Sequence, residues 1–172
     1  MIRVLVFMVV CFPSFIALAG SPGGLTTVII PFTSAEEYKS LVERYFKDYL
    51  DGGRPIYCAN AEGNSETLTI GNYFINKTLD ETLMKSALVN QRSLNRLQKK
   101  LLNYRSAAAP QGFDALLTYE VSGNYLIFYG ISSDAAEPAR KAALYNKDIH
   151  DPRALGQAIC RVLAAFPVYY DE

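Results

Sequence analysis

The sequence predicts an α/β (α+β) fold, in which helices pack on a mixed sheet that ends in a C-terminal antiparallel meander. Three observations lead to this prediction. A β-branched run that stops at proline occupies residues 26–32, as in a buried strand. Stretches with helical spacing follow it, and two apolar runs rich in strand-forming residues flank the turn sequence Ser122-Gly123-Asn124. Strands that alternate with helices and then follow one another are typical of helices packed on a mixed sheet.

The first helix is predicted directly after the first strand. Ser34 and Glu37 have the spacing of a capping box, and Gly52-Gly53 is a typical helix end. The apolar residues between them fall on one helical stripe: Tyr38, Leu41, Val42, Tyr45, Phe46 and Tyr49.

The middle of the chain is predicted to hold two strands and two helices. Residues 54–61 form a strand that includes Cys58, and residues 66–75 form another. Thr78 and Glu81 have capping-box spacing and open a helix, and residues 93–105 form the next helix.

The C-terminal part gives the clearest pattern. Residues 115–121 and 125–132 are predicted to form a hairpin, and residues 139–146 to return as a third antiparallel strand. Asp151 is a natural N-cap with Pro152 at the first helical position. The closing helix has an apolar stripe, with Cys160 on its flank.

Residues 1–19 are predicted to be a cleaved signal peptide. Arg3 precedes an apolar run over residues 5–18, and Ala17-Leu18-Ala19 is a signal-peptidase site, so cleavage falls between Ala19 and Gly20. The run is too short for a membrane anchor. Acylation at Cys11 is not expected, because Val9-Val10 lacks the small residues that precede a lipidated cysteine.

The mature chain, residues 20–172, is expected to be one domain without an integral membrane anchor and with a short aromatic tail at 167–172. The whole chain has 17 basic and 17 acidic side chains, and Arg3 in the signal peptide is one of the basic residues. This balance gives no bulk attraction for nucleic acid. Export predicts a periplasmic, or secreted, location.

Two cysteines, Cys58 and Cys160, remain in the mature chain. In an oxidising compartment an even number most simply predicts one disulfide, and two buried free thiols are the alternative. No metal site is predicted, because His150 is the only histidine and no ligand cluster surrounds either cysteine.

No catalytic motif is present in the sequence. It has no glycine-rich phosphate loop, nucleophile elbow or serine-histidine-carboxylate set. His150-Asp151 resembles a base with an orienting acid, but it precedes a helix in a polar loop, where an exposed histidine is the ordinary interpretation. We therefore predict a protein that is not an enzyme and needs no cofactor.

Tyrosine is the unusual feature of the composition, with 12 tyrosines and no tryptophan. Tyrosine is favoured at protein interfaces, because it combines a large contact area with a polar tip, and it is also an ordinary strand residue. The candidate partner-binding residues lie on the hairpin and in the tail: Tyr119, Tyr125, Tyr129, Val168, Tyr169 and Tyr170.

Three short segments resemble a group of envelope α/β domains. Residues 27–32 (Thr-Val-Ile-Ile-Pro-Phe), 75–83 and 112–118 are similar to the opening strand, the strand-to-helix step and the hairpin entry of that group. The group comprises the amino-terminal domain of TolB, the curli-secretion lipoprotein, the lipoprotein activators of penicillin-binding proteins and FlgO-type flagellar proteins. Residues 66–75 are extra, and the lipid-attachment cysteine is missing.

The resemblance implies a scaffold or regulator that binds other envelope proteins. The predicted function is a periplasmic, non-catalytic protein-binding domain that docks on or regulates flagellar, secretion or cell-wall machinery. The alternative is a periplasmic immunity or inhibitor protein that neutralises a toxin or an enzyme. An enzyme that uses His150-Asp151 is a third possibility.

Overall fold

A computed structural model describes residues 24–52, 56–59, 65–75, 79–108, 113–134, 137–164 and 166. The strands are β1 (Leu25–Pro31), β2 (Ile56–Ala59), β3 (Ser65–Leu68), β4 (Ile70–Ile75), β5 (Ala115–Ser122), β6 (Tyr125–Ser132) and β7 (Arg140–Tyr145). The helices are α1 (Lys39–Gly52), α2 (Glu81–Val89), α3 (Gln91–Ala108) and α4 (Pro152–Leu163), with 3-10 turns at Thr33–Tyr38 and Asn146–Asp148.

Five of these strands form one mixed sheet in the order β4-β1-β5-β6-β7. β1 is parallel to β4 and to β5, whereas β6 runs antiparallel to both of its neighbours, β5 and β7. The predicted α/β class with a C-terminal antiparallel meander is confirmed. Parallel neighbours require crossover connections, and the chain supplies helices for this purpose between β1 and β4 and between β4 and β5.

The helices cover both faces of this sheet. The first face packs against α1 and α4 through residues such as Val42, Phe46 and Ile159. The second face packs against α2 and α3 through residues such as Met84 and Leu97. β1 is buried on both faces, which explains why its sequence is a continuous β-branched run rather than an alternating one.

The meander follows the sequence closely. β5 and β6 pair from Ala115 opposite Ser132 to Ser122 opposite Tyr125, which leaves Gly123 and Asn124 as the turn. Gly123 has a φ of 58°, in the left-handed region that glycine adopts without a steric penalty.

Two predicted capping boxes are wrong. The turn after β1 begins at Thr33 without a side-chain cap, and the Ser34 hydroxyl instead accepts the Val121 N–H at 3.2 Å. The N-cap of α2 is Asp80, whose carboxylate accepts the N–H groups of Thr82 and Leu83, and Thr78 lies outside the described residues. Both helical segments begin near the predicted positions, but only the second has a side-chain cap, and that cap is Asp80.

The prediction that residues 66–75 form one strand is wrong, because they belong to two strands, β3 and β4. β3 pairs with β2 in a separate antiparallel sheet, and β4 joins the main sheet after Thr69. α3 also begins before the predicted residue 93, because Asn90 caps it by accepting the N–H groups of Arg92 and Ser93. The cap and helix start predicted at Asp151 and Pro152 are confirmed, and Asp151 accepts the Arg153 N–H at 2.9 Å.

The predicted Cys58–Cys160 disulfide is present. The two Cα atoms lie 5.5 Å apart, an ordinary disulfide distance, and both cysteines are buried. Because Cys58 lies on β2 and Cys160 on α4, the bond joins the small β2–β3 sheet to the closing helix.

The predicted signal peptide, with its cleavage site at Ala19 and Gly20, lies outside the described residues, as does the tail at 167–172. In the described part of the chain, no helix combines the length and apolar character needed to cross a membrane.

Candidate protein-binding surface

The three hairpin tyrosines lie on different faces of the meander. On the face that packs against α1 and α4, β5 contributes Ala115, Leu117 and Tyr119, and β6 contributes Leu126 and Phe128. Tyr125 and Tyr129 belong to the alternate positions of β6, so they point to the opposite face. The hairpin therefore presents only two of its three tyrosines as candidates for contact with a partner.

Tyr119 is fully buried, which corrects its prediction as a partner-binding residue. Its ring lies 5.4 Å from that of Phe128, the residue opposite it in the strand register. Burial raises the pKa of Tyr119 above its ordinary value, and the carboxylates of Glu36 and Glu43 add to the rise. Within the described residues its hydroxyl has no hydrogen-bond partner.

Tyr125 lies at the turn end of β6 and has 47 % of its surface exposed. Its ring meets that of Tyr145 on β7 edge to face, with the centroids 5.2 Å apart, because the two residues pair directly across the strands. The Lys147 ammonium lies 5.0 Å from the centre of the Tyr145 ring. This end of the sheet thus presents two aromatic rings and a cation together.

Tyr129 continues the same surface toward the middle of β6. Its hydroxyl donates to the Glu120 carboxylate at 2.7 Å, and the Lys141 ammonium lies 5.7 Å from its ring centre. Burial and the hydrogen bond to Glu120 raise the pKa of Tyr129 above its ordinary value. The Glu120 carboxylate thus already accepts one hydrogen bond from within the protein.

We call this surface the meander face, and it consists of Glu120, Tyr125, Ile127, Tyr129, Lys141, Ala143, Tyr145 and Lys147. Ile127 is buried beneath the surface, while Lys141, Ala143 and Lys147 are exposed. Toward the other end of the same face, Leu116 and Ile131 are buried in the cluster formed with α2 and α3. Apart from Ile127, the side chains of the meander face are exposed or half-buried.

Sequence reasoning identified Tyr125 and Tyr129 but not Tyr145, Lys141 or Lys147. The predicted third strand contained the signal, because pairing it with β6 brings every second residue of β7 beside Tyr125 and Tyr129. The register of that pair was needed to find them. Val168, Tyr169 and Tyr170 lie outside the described residues, so they remain predictions.

His150 lies apart from this surface. It is exposed and lines a groove of about 480 Å³ between α1 and the start of α4, together with Arg44, Tyr45 and Asp48. The Asp151 carboxylate accepts the Arg153 N–H as the helix cap. The neighbouring acid therefore caps the helix.

A second crevice, of about 270 Å³, lies where β1 and β4 end. The Glu81 carboxylate there accepts hydrogen bonds from Lys85 at 2.6 Å and from Thr33 at 2.9 Å, and Lys39 pairs with Glu36 at 3.7 Å. The hydrogen bond from Lys85 lowers the pKa of Glu81 below its ordinary value. The charges of this crevice are thus paired with one another.

Among the described residues no cluster of histidine, cysteine, aspartate and glutamate has the arrangement to hold a metal ion. Comparisons of the chain with protein families, with curated proteins and with solved structures find no match.

Proposed function

We propose that this protein is exported to the periplasm and that its mature domain is a non-catalytic protein-binding domain. In this proposal it docks on, or regulates, an assembly or enzyme of the cell envelope. The observation that carries the proposal is the aromatic pair of the exposed Tyr125 and the half-buried Tyr145, with Lys147 beside it, at one end of the sheet. The signal-peptide sequence and the resemblance to envelope α/β domains support the compartment and the class of partner.

A surface of this composition suits protein recognition. Tyrosine is over-represented at the contacts that dominate binding energy, and each ring has few rotatable bonds to immobilise. Tyr125 and Tyr145 are already held against each other, and cross-strand pairing fixes both backbones. Binding therefore loses little side-chain entropy at this site.

The test is capture of envelope proteins by the purified mature domain and by a Tyr125→Ala/Tyr145→Ala variant. We expect the double variant to lose at least about tenfold in affinity, because truncation of two central aromatic residues removes dominant contacts. Phe74→Ala is the matched control, since Phe74 is an aromatic residue with 40 % exposure on β4, at the opposite edge of the sheet. Equal losses in both variants would contradict the proposal.

Further measurements examine export and the tail, and the identity of the captured protein examines the class of partner. Intact-mass measurement of the exported protein should give a chain that begins at Gly20, and a retained Met1 would contradict signal cleavage. Deletion of residues 167–172 should weaken capture without a change in melting temperature if Val168, Tyr169 and Tyr170 contact the partner. A captured toxin or hydrolase would assign the protein as an inhibitor instead.

A further inference from the structure

We propose that the partner binds by adding an extended, acidic segment as a new strand along the free side of β7. This inference rests on the proposed function and specifies how the meander face is used. β7 is the last strand of the main sheet within the described residues, and it adjoins the tyrosines of the meander face. An edge strand of this kind can give a partner both backbone hydrogen bonds and side-chain contacts.

The register of β6 and β7 identifies the backbone groups that are available. The Asn146 N–H donates to the Asn124 carbonyl at 2.9 Å, so these residues form a hydrogen-bonded pair of the antiparallel ladder. Such pairs alternate with non-hydrogen-bonded ones, and the register is regular from Tyr125–Tyr145 to Gly130–Arg140. The N–H and C=O groups of Lys141, Ala143 and Tyr145 therefore point away from β6, toward the free edge.

These three residues also belong to the meander face. An added strand would bond to their backbones and at the same time contact the side chains of Lys141 and Tyr145. Ala143 lies between them with a short, exposed side chain that leaves room for a side chain of the incoming strand. β4, the other edge strand, has a shifted register against β1 near Leu25 and Thr26, so its pairing surface is less regular.

Charge determines the kind of strand that fits. Lys141 is exposed on the edge strand and the exposed Lys147 lies two residues beyond the end of that strand, whereas the Glu120 carboxylate accepts a hydrogen bond from the Tyr129 hydroxyl. A second copy of this chain paired antiparallel about Ala143 would bring both lysines of each copy into one interface. Lysine on an edge strand opposes such self-pairing, while acidic side chains on a partner strand complement it.

The probe is a short synthetic peptide in which glutamate and valine alternate, added to the disulfide-bonded mature protein. We expect the amides of Lys141, Ala143 and Tyr145 to become protected from hydrogen exchange when the peptide binds. A peptide with glutamine in place of glutamate should bind at least about tenfold more weakly, and added salt should lower the affinity of the acidic peptide. Lys141→Glu should reverse the preference toward a lysine-valine peptide.

Ala143→Pro gives the backbone test. Proline removes an N–H that points to the free edge, so the β6–β7 ladder keeps its hydrogen bonds while peptide binding should be lost. Ala143→Val is the matched control, because it keeps the N–H and should keep binding. If the proline variant fails to fold, the charge reversal at Lys141 still decides the question.

Several outcomes would overturn the inference. One is peptide binding that perturbs the rings of Tyr125 and Tyr145 without protecting the three amides, and this result would leave the proposed function intact. Others are amides already protected in the free monomer, protection that rises with protein concentration, and no binding of the acidic peptide. Loss of capture in Tyr125→Ala/Tyr145→Ala tests the proposed function separately.

Discussion

The position of a tyrosine along the hairpin determines whether its hydroxyl meets water or the core. Tyr125 and Tyr129 both lie on the meander face, where the Tyr125 ring is exposed and the Tyr129 hydroxyl donates a hydrogen bond to Glu120. Tyr119 faces the core, where its ring packs on Phe128 but its hydroxyl has no partner among the described residues. Its ring therefore stabilises the fold, while its hydroxyl is buried at a cost.

Replacement of Tyr119 by phenylalanine should raise the free energy of unfolding by about 1 kcal/mol. The substitution keeps the ring and removes a buried polar group without a partner, a group that costs about 1–3 kcal/mol. Tyr129→Phe is the comparison, because it deletes the hydrogen bond to Glu120 and should lower stability by about 1 kcal/mol. Urea unfolding measures both, and a clear loss of stability in Tyr119→Phe would show that its hydroxyl is bonded.

Alkaline pH should destabilise the domain through tyrosines that are wholly or partly buried. Burial, with the nearby Tyr49 adding to it, raises the pKa of Tyr45 to about 12, and burial raises that of Tyr119 as well. Above about pH 10 the unfolded chain loses tyrosine protons that the native state keeps, so the free energy of unfolding falls as pH rises. Stability should be unaffected by these groups below that pH.

Urea unfolding over a series of pH values checks this dependence. Tyr119→Phe should flatten the slope above about pH 10, because it removes one of the groups that titrate differently in the two states. An identical slope in the variant would mean that Tyr119 ionises equally easily in the folded protein.

At the scale of the elements, α4 packs closely on β6. A Cβ atom added at Gly130 would collide with the carbonyl oxygen of Val162, so the helix lies directly on the strand at this point. Val162 and Leu163 are fully buried, and Cys160 lies two residues before Val162 on the same helix. The contact thus positions the helix that holds one end of the disulfide.

Gly130→Ala should lower the free energy of unfolding by about 1–3 kcal/mol. The added methyl group meets backbone rather than a flexible side chain, so the strand and the helix must separate, as in an overpacked core. Gly52→Ala is the control, because a Cβ there meets nothing within 4 Å. Thermal or urea unfolding of the two variants makes the comparison, and equal stabilities would contradict the close packing of α4.

At the scale of the whole molecule, periodicity in the sequence predicted the meander, the closing helix and the α/β class. The separation of β3 from β4 at Thr69 was not predicted, because each is a short strand and only pairing partners distinguish two strands from one. Sheet order escaped prediction for the same reason. The meander face was predicted in part. Tyr125 and Tyr129 were predicted from the hairpin sequence, whereas the position of Tyr145 beside them depends on the register of β6 and β7.

The disulfide is the covalent link between distant parts of the fold. Its cysteines are separated by 102 residues, so it joins β2, early in the domain, to the last helix. A bond that closes a loop of this length removes chain entropy worth roughly 4.7 kcal/mol at most from the unfolded state. A domain of this size has a net stability of about 5–15 kcal/mol, so the bond is a large fraction of it.

Cys58→Ala/Cys160→Ala should therefore lower the melting temperature strongly, and reduction of the unmodified protein should have a similar effect. Both cysteines are buried, which shields the bond from reductants in the folded state, so we expect it to be structural rather than a redox switch. Thiol labelling of exported protein should find no reactive cysteine after unfolding unless a reductant is added. Two labelled cysteines without reduction would show that the bond does not form on export, and the stability of the domain would then have to come from its two packed faces alone.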